Sequence, residues 1–323
     1  MNNKKKLITV VVPAYNESEV LYIFMDEMTK VFTQIQGYRF DVLFVNDGST
    51  DNTIETLADL VEKHTNVSYI SLSRNFGKEA AMTAGFDHAE GDAVAIFDAD
   101  LQDPPDLLVK FVENWENGYD VVYAKRLQRN GESFIKKLTA SFFYSMMKKI
   151  SKTSIPTNTG DCRLMSRRVV DSLNRLRENH RFMKGLFAWV GYPSVAVEYN
   201  RAPRAAGKTK FNYWKLWNFA LDGITSFTEA PLKIATYFGI LVASLSFLFG
   251  LWIAFKAIVF GEVVQGYPTM MITILIVGGL QMLFIGILGE YMGRVFGETK
   301  SRPVYLIERH VRSKDLGSKP INH

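Results

Sequence analysis

Two uncharged stretches constrain this chain more than any other feature. Ile234–Phe255 runs for 22 residues, and Thr269–Gly289 for 21, without a charged side chain. A helix needs roughly 20 apolar residues to cross the hydrocarbon core of a bilayer. A buried core helix can also be apolar on every face. Two such runs in tandem, joined by a link holding Gly261, Gly266 and Pro268, instead predict a helical hairpin through a membrane. Charge placement gives its orientation. Arg201, Arg204, Lys208, Lys210, Lys215 and Lys233 precede the first run, and Arg294, Lys300, Arg302, Arg309 and Arg312 follow the second. The link carries only Lys256 and Glu262. The positive-inside rule then predicts a cell-membrane protein with two spans and both termini cytoplasmic. Leu7–Pro13 is too short for the apolar core of a secretory signal, and none is expected.

Composition narrows the remainder. The formal net charge is +5, and the segment Arg294–His323 holds a net +4 of it. A basic tail alone would suit nucleic acid, but beside two predicted spans it reads as membrane-proximal, so no nucleic-acid partner is expected. The single cysteine, Cys162, excludes an intramolecular disulfide and a cysteine-based zinc cluster.

The first 230 residues read as an α/β domain. Leu7–Val12 is a continuous β-branched run of the kind buried on both faces of a parallel sheet. Phe40–Val45, Val67–Leu72 and Ala93–Phe97 are further predicted strands, with Asp120–Tyr123 after them. Helical spacing falls between them, over Glu19–Ile35, Thr53–His64 and Lys78–Ala89. Strands alternating with helices imply βαβ units and a mostly parallel sheet. Ligands of such sheets bind beyond the carboxyl ends of the strands. Here those ends carry Pro13, Tyr15 and Glu17, then Asn46 and Asp47, then Ser73 and Arg74, then Asp98 and Asp100. Turn chemistry alone accounts for Asn46 but not for three acidic ends on one sheet edge. No G-x-G-x-x-G occurs. Gly207-Lys208-Thr209 imitates the end of a phosphate-binding P-loop, but Ala202 stands where its first glycine belongs. Asp98-x-Asp100 is the sharper signal, because two carboxylates at one strand end can share a hard divalent cation with phosphate oxygens.

These motifs carry a resemblance. Val11-Val12-Pro13-Ala14-Tyr15-Asn16-Glu17, Val45-Asn46-Asp47-Gly48-Ser49-Thr50-Asp51 and Phe97-Asp98-Ala99-Asp100-Leu101-Gln102-Asp103-Pro104-Pro105 resemble the family 2 glycosyltransferases, which have the GT-A fold. Ser73-Arg74-Asn75-Phe76-Gly77-Lys78 and the paired C-terminal spans are similar to the polyprenyl-phosphate branch. Within it the bactoprenol glucosyltransferases are nearer than dolichol-phosphate mannose synthase. The resemblance runs from about Lys6 to Arg312 in the family's motif order. It implies a GT-A catalytic domain over 1–210, a juxtamembrane amphipathic helix over 211–231, a transmembrane hairpin over 232–293 and a basic cytoplasmic tail over 294–323.

The resemblance also implies roles. Pro13, Tyr15, Glu17 and Asp47 would frame the nucleotide, with Asp98 and Gln102 nearer the sugar and diphosphate. Asp98 and Asp100 would hold Mg2+ or Mn2+, with Asp100 the more direct ligand. Asp161, in Thr159-Gly160-Asp161-Cys162-Arg163-Leu164, occupies the position often assigned as catalytic base. A phosphate monoester has its second pKa near 6, so the acceptor needs little deprotonation and Asp161 can instead orient it. Asp103 is expected to cap the helix after Pro104-Pro105. Arg126, Arg129, Arg204 and Lys210 are candidates for the lipid phosphate, alongside a surface patch for anionic lipid. Phe211–Phe227 is expected to lie along the bilayer interface, and Lys184–Gly191 to cover the sugar or the lipid head, or to pack.

The implied reaction is inverting hexosyl transfer from a nucleotide sugar to polyprenyl phosphate. UDP-glucose is the first choice of donor, UDP-N-acetylglucosamine the second and GDP-mannose the third. A non-catalytic nucleotide-sugar-binding scaffold is opposed by the intact Asp98, Asp100 and Asp161. A processive polysaccharide synthase is opposed by the lack of a Q-x-x-R-W pattern. A homo-oligomer is left open.

Overall fold

The computed structural model describes residues 5–127, 156, 159–179, 181–200, 230–260 and 266–312. The chain divides into two units, 1–220 together with 302–323, and 221–301.

The first unit is built on one sheet. Its strands are β1 (Lys6–Ala14), β2 (Tyr38–Asn46), β3 (Val67–Leu72), β4 (Ala93–Ile96), β5 (Val121–Arg126), β6 (Thr159–Ser166), β7 (Ser194–Tyr199) and β8 (Ile307–Val311), in the order β7-β5-β6-β4-β1-β2-β3-β8. The central pairs β4–β1, β1–β2 and β2–β3 are parallel, as the alternation of strands and helices predicts. β6 runs antiparallel between β4 and β5, and β8 antiparallel against β3. The helices are α1 (Leu21–Gln34), α2 (Thr53–Lys63), α3 (Lys78–His88), α4 (Leu107–Glu116), α5 (Arg167–Arg175) and α6 (Met183–Trp189).

Burial follows the sequence pattern. Ile8 and Val10–Val12 of β1 are fully buried because helices cover both faces of the central strands. In α1 the buried residues are Leu21, Phe24, Met25, Met28 and Val31, the three-and-four spacing of one helical face. α3 lies close against β1. A Cβ at Gly85 would stand 2.2 Å from Val11 Cγ1, so this approach needs glycine.

The segment expected as a basic cytoplasmic tail, 294–323, is described as far as residue 312. Helix continues to Thr299, and residues 307–311 form the edge strand β8. The Ser73 N–H donates to the Leu306 carbonyl at 3.0 Å. Tyr305 Oη donates to Asp87 Oδ2 at 2.8 Å, and Arg177 holds both Asp87 oxygens. Arg312 pairs with Glu90 at 3.0 Å. Pairing of this kind covers the exposed edge of β3.

The second unit is a helical hairpin of α7 (Ala230–Phe260) and α8 (Tyr267–Thr299). Phe238 and Phe284 meet edge to face, with ring centroids 6.2 Å apart. Ala235–Ile253 and Ile272–Thr299 are long and apolar enough to cross a membrane. Their large side chains point outward, with Phe247 68% and Leu275 70% exposed. A core helix would bury them, and apolar surface of this extent marks contact with lipid or protein.

Candidate active site

The site forms where the loops after β1, β2 and β4 meet the antiparallel strand β6. The first two loops are stitched together. Asn16 N–H donates to Ser49 Oγ at 2.9 Å, Thr50 N–H to Asn16 Oδ1 at 2.8 Å, and Glu17 N–H to Thr53 Oγ1 at 3.0 Å. Ser18 Oγ donates to Asp51 Oδ2 at 2.9 Å. Pro13, Tyr15 and Glu17 are each half-buried in this loop.

Asp47 has a defined internal task. Its carboxylate is buried and accepts the N–H groups of Phe76 at 2.7 Å and Gly77 at 3.0 Å. Burial pushes its pKa up, and those two bonds resist the rise. Gly48 permits the arrangement, because a Cβ there would stand 2.3 Å from the Arg74 carbonyl carbon and its φ is +61°. Asp47 thus ties down the loop that delivers Lys78 to the start of α3.

Lys78 is the centre of the site. Its Nζ lies 2.6 Å from Asp98 Oδ1 and 2.7 Å from Asp161 Oδ2. The sheet register explains the meeting. Ile96 of β4 faces Arg163 of β6, and β6 runs the opposite way, so two residues onward Asp98 comes beside Asp161. Burial would raise the pKa of Asp161, but Lys78 and then Lys184 hold it well below the usual carboxylate range. Desolvation opposes the charge on Lys78, yet Asp161 and Asp98 together outweigh it and raise the pKa. Asp161 is therefore a fixed anion at neutral pH.

More cations surround this pair. Arg163 is buried beneath it, with Nε donating to the Asp161 carbonyl at 3.1 Å and Nη2 to the Gly160 carbonyl at 3.0 Å. Its guanidinium lies 3.6 Å from the centre of the Phe187 ring, and burial lowers its pKa to about 10. Glu79 Oε2 accepts the Met183 N–H at 3.0 Å, which fixes the start of α6 and so places Lys184. Burial raises the Glu79 pKa to about 7, with the Asp161 charge adding to the rise.

Arg126 ends β5, opposite Tyr199 at the end of β7. Its Nε donates to Tyr199 Oη at 3.0 Å, and Tyr199 Oη donates to Asp103 Oδ1. Arg126 Nη2 stands 3.9 Å from the same carboxylate oxygen. The capping role expected for Asp103 is corrected here. Asp106 is the residue before α4, and the Asp103 carboxylate binds Tyr199 because β7 brings that phenol to it.

Asp98 and Asp100 fit a hard divalent cation held jointly with a diphosphate. Both are partly accessible, and the Lys78 ammonium on Asp98 Oδ1 shows that this spot favours a positive charge. The Gln102 N–H donates to Asp100 Oδ1 at 3.2 Å, which orients that carboxylate. Among the described residues no three His, Cys, Asp or Glu side chains gather, so the shell would be completed by waters and phosphate oxygens. Arg129, Arg204 and Lys210, and the interfacial segment Phe211–Phe227, lie outside the described residues.

Glu79, Arg163 and Tyr199 were not singled out from the sequence, while Lys78 stood only within the Ser73–Lys78 motif and Lys184 only within a segment expected to cover the sugar or the lipid head, or to pack. A lysine in the first turn of a helix, where the macrodipole disfavours a cation, is a signal for Lys78. The others are assembled by tertiary contacts alone.

Residues 9–173 match Glycosyl transferase family 2, and residues 230–295 match the GtrB C-terminal hairpin. The chain belongs to the family 2 glycosyltransferases and is an enzyme of that class. Among its relatives, the bactoprenol glucosyl transferase of Shigella phage SfX is 48% identical, covering 93% of this chain and 98% of its own. The prophage bactoprenol glucosyl transferase homolog of Escherichia coli strain K12 is 47% identical, over 94% and 98%. An uncharacterized glycosyltransferase of Synechocystis, sll0501, is 47% identical, over 93% and 94%.

Proposed function

We propose that this enzyme transfers glucose from UDP-glucose to undecaprenyl phosphate at the cytoplasmic membrane face, inverting the anomeric carbon. The observation that carries the reading is the meeting of Asp98 and Asp161 at one lysine, which we read as the donor-side and the acceptor-side carboxylate. Near-full-length similarity to bactoprenol glucosyl transferases supports the lipid acceptor and the sugar.

The chain's own groups divide the work. Pro13, Tyr15 and Glu17 hold the nucleoside, while Asp47 shapes the loop beside it. Asp98 and Asp100 would hold the divalent cation, Mg2+ or Mn2+, beside the donor diphosphate. That cation supplies charge neutralisation to the departing nucleoside diphosphate. Asp161 is too weakly basic to take a proton readily, and a phosphate dianion needs none removed. Its task is to orient the reacting groups within a cationic surround. Arg126, held rigidly by Tyr199, faces the lipid phosphate, aided by Arg129, Arg204 and Lys210. Positioning and fixed charges supply the rate enhancement.

Topology is supported by connectivity. Because β8 pairs with β3, the chain on both sides of the hairpin belongs to one folded unit. Such a hairpin enters and leaves a bilayer on one side, and the basic flanks make that side cytoplasmic.

The test is transfer by the purified full chain in detergent, with undecaprenyl phosphate and labelled UDP-glucose, UDP-N-acetylglucosamine or GDP-mannose. A β-linked glucosyl lipid phosphate formed from UDP-glucose is expected. Lack of a labelled lipid with all three donors would refute the reaction, and preference for another donor would refute the sugar.

A further inference from the structure

Lys78 sits between Asp98 and Asp161, which the proposed function assigns to different halves of the reaction. Asp98 lies two residues beyond the end of β4, and Asp161 lies near the start of β6, the antiparallel strand that leads the sheet toward β5 and β7, where Arg126 and Tyr199 stand. Both carboxylates reach the same nitrogen, at 2.6 Å and 2.7 Å. Without a cation there, two anions this close would repel and turn outward. The surrounding structure also spends interactions on placing this lysine. Asp47 clamps the loop before it through Phe76 and Gly77. Glu79, the next residue, fastens the start of α6. Lys78 nevertheless keeps 42% of its side-chain surface accessible, so it borders the space where substrates would enter.

We infer that Lys78 is a positioning residue that ties the donor side to the acceptor side, fixing Asp98 and Asp161 at the separation transfer requires. This rests on the proposed reading of Asp98 as donor-side and Asp161 as acceptor-side. Lys78 acts through these carboxylates and is not the residue that contacts the reacting carbon. An ammonium suits the task because it can donate to both carboxylates from one compact point.

Two readouts test this separately. The first is kinetic, using Lys78→Met and Lys78→Arg in the full chain. Methionine keeps most of the side-chain volume without the charge. Lys78→Met should lower kcat by about 100-fold or more, as expected for lost alignment of a group worth that much in the transition state. The donor KM should change less than about threefold, because the strand-end groups still hold the nucleotide. Lys78→Arg should recover part of kcat by restoring charge with a poorer shape. Wild-type kcat in Lys78→Met would overturn the proposal.

The second readout needs no turnover. Melting temperatures are compared for the parent, Lys78→Met, Asp161→Asn and the double variant. If Lys78 holds the carboxylates together, Asp161→Asn should raise the melting temperature in the Lys78→Met background by relieving repulsion. The same change in the parent should lower it or leave it unaltered. Equal and additive effects in both backgrounds would overturn the tie. A parent enzyme with no transfer but with this reversal of sign would refute the proposed reaction and leave the tie standing.

Discussion

Replacing Tyr199 with phenylalanine removes one oxygen from the network that fixes Arg126. That oxygen accepts from Arg126 Nε at 3.0 Å and donates to Asp103 Oδ1. The Asp103 side chain is 1% exposed and Arg126 23%, so water cannot freely replace either bond. A hydrogen bond to a charged group contributes roughly 1.5–3 kcal/mol. The two bonds share one oxygen and are not independent, so a combined loss of about 2–4 kcal/mol is expected. At about 2–4 °C per kcal/mol for a domain of this size, the sheet-bearing unit should melt about 4–16 °C lower. Function should change in a matching direction. Arg126 would keep its charge but lose the bond that aims it, so the KM for lipid phosphate should rise about tenfold. The donor KM should stay within about threefold, because that end is held elsewhere. The assay combines thermal unfolding with initial rates at varied lipid and nucleotide sugar, in detergent. Unchanged melting together with an unchanged lipid KM would refute the reasoning.

Transfer should require Mg2+ or Mn2+ and collapse in Asp100→Ala, whereas a rate insensitive to EDTA would remove the metal from the scheme. Glu79 binds its proton more tightly in the folded chain than in the unfolded one, since its pKa is raised to about 7. Its favourable contribution is therefore present below the unfolded carboxylate range and is lost as pH rises through about 7. Glu79→Gln should then be more stable than the parent at pH 8, with the gap closing below about pH 5, as thermal melts across that range would report. In detergent, Arg126→Ala and Arg204→Ala should each weaken the lipid dependence of rate by about one to two decades. Wild-type lipid dependence in both would assign these arginines to the bilayer surface. Tags at either terminus should be inaccessible from outside intact cells, and labelling of either one there would refute the topology.

The sequence by itself determined the periodic and the local. β-branched runs separated by helical spacing specify buried parallel strands, and Val67–Leu72 was bounded as the structure has it. The polar strand ends were legible as a candidate site because an open α/β sheet offers one edge for ligands. The paired uncharged runs were legible because the length of a span is a property of consecutive residues. What depended on strand order was not legible. Nothing in the spacing from Asp98 to Asp161 states that β6 inserts antiparallel between β4 and β5, yet that register brings the two carboxylates to Lys78. Asp103 looked like a helix cap because turn propensity is local, whereas its partner, Tyr199, is 96 residues away. The basic C-terminal residues read as a tail because their charge is visible in one dimension. Only the tertiary structure shows that an exposed edge at β3 gives their backbone a partner, and edge pairing depends on backbone groups that every sequence carries alike.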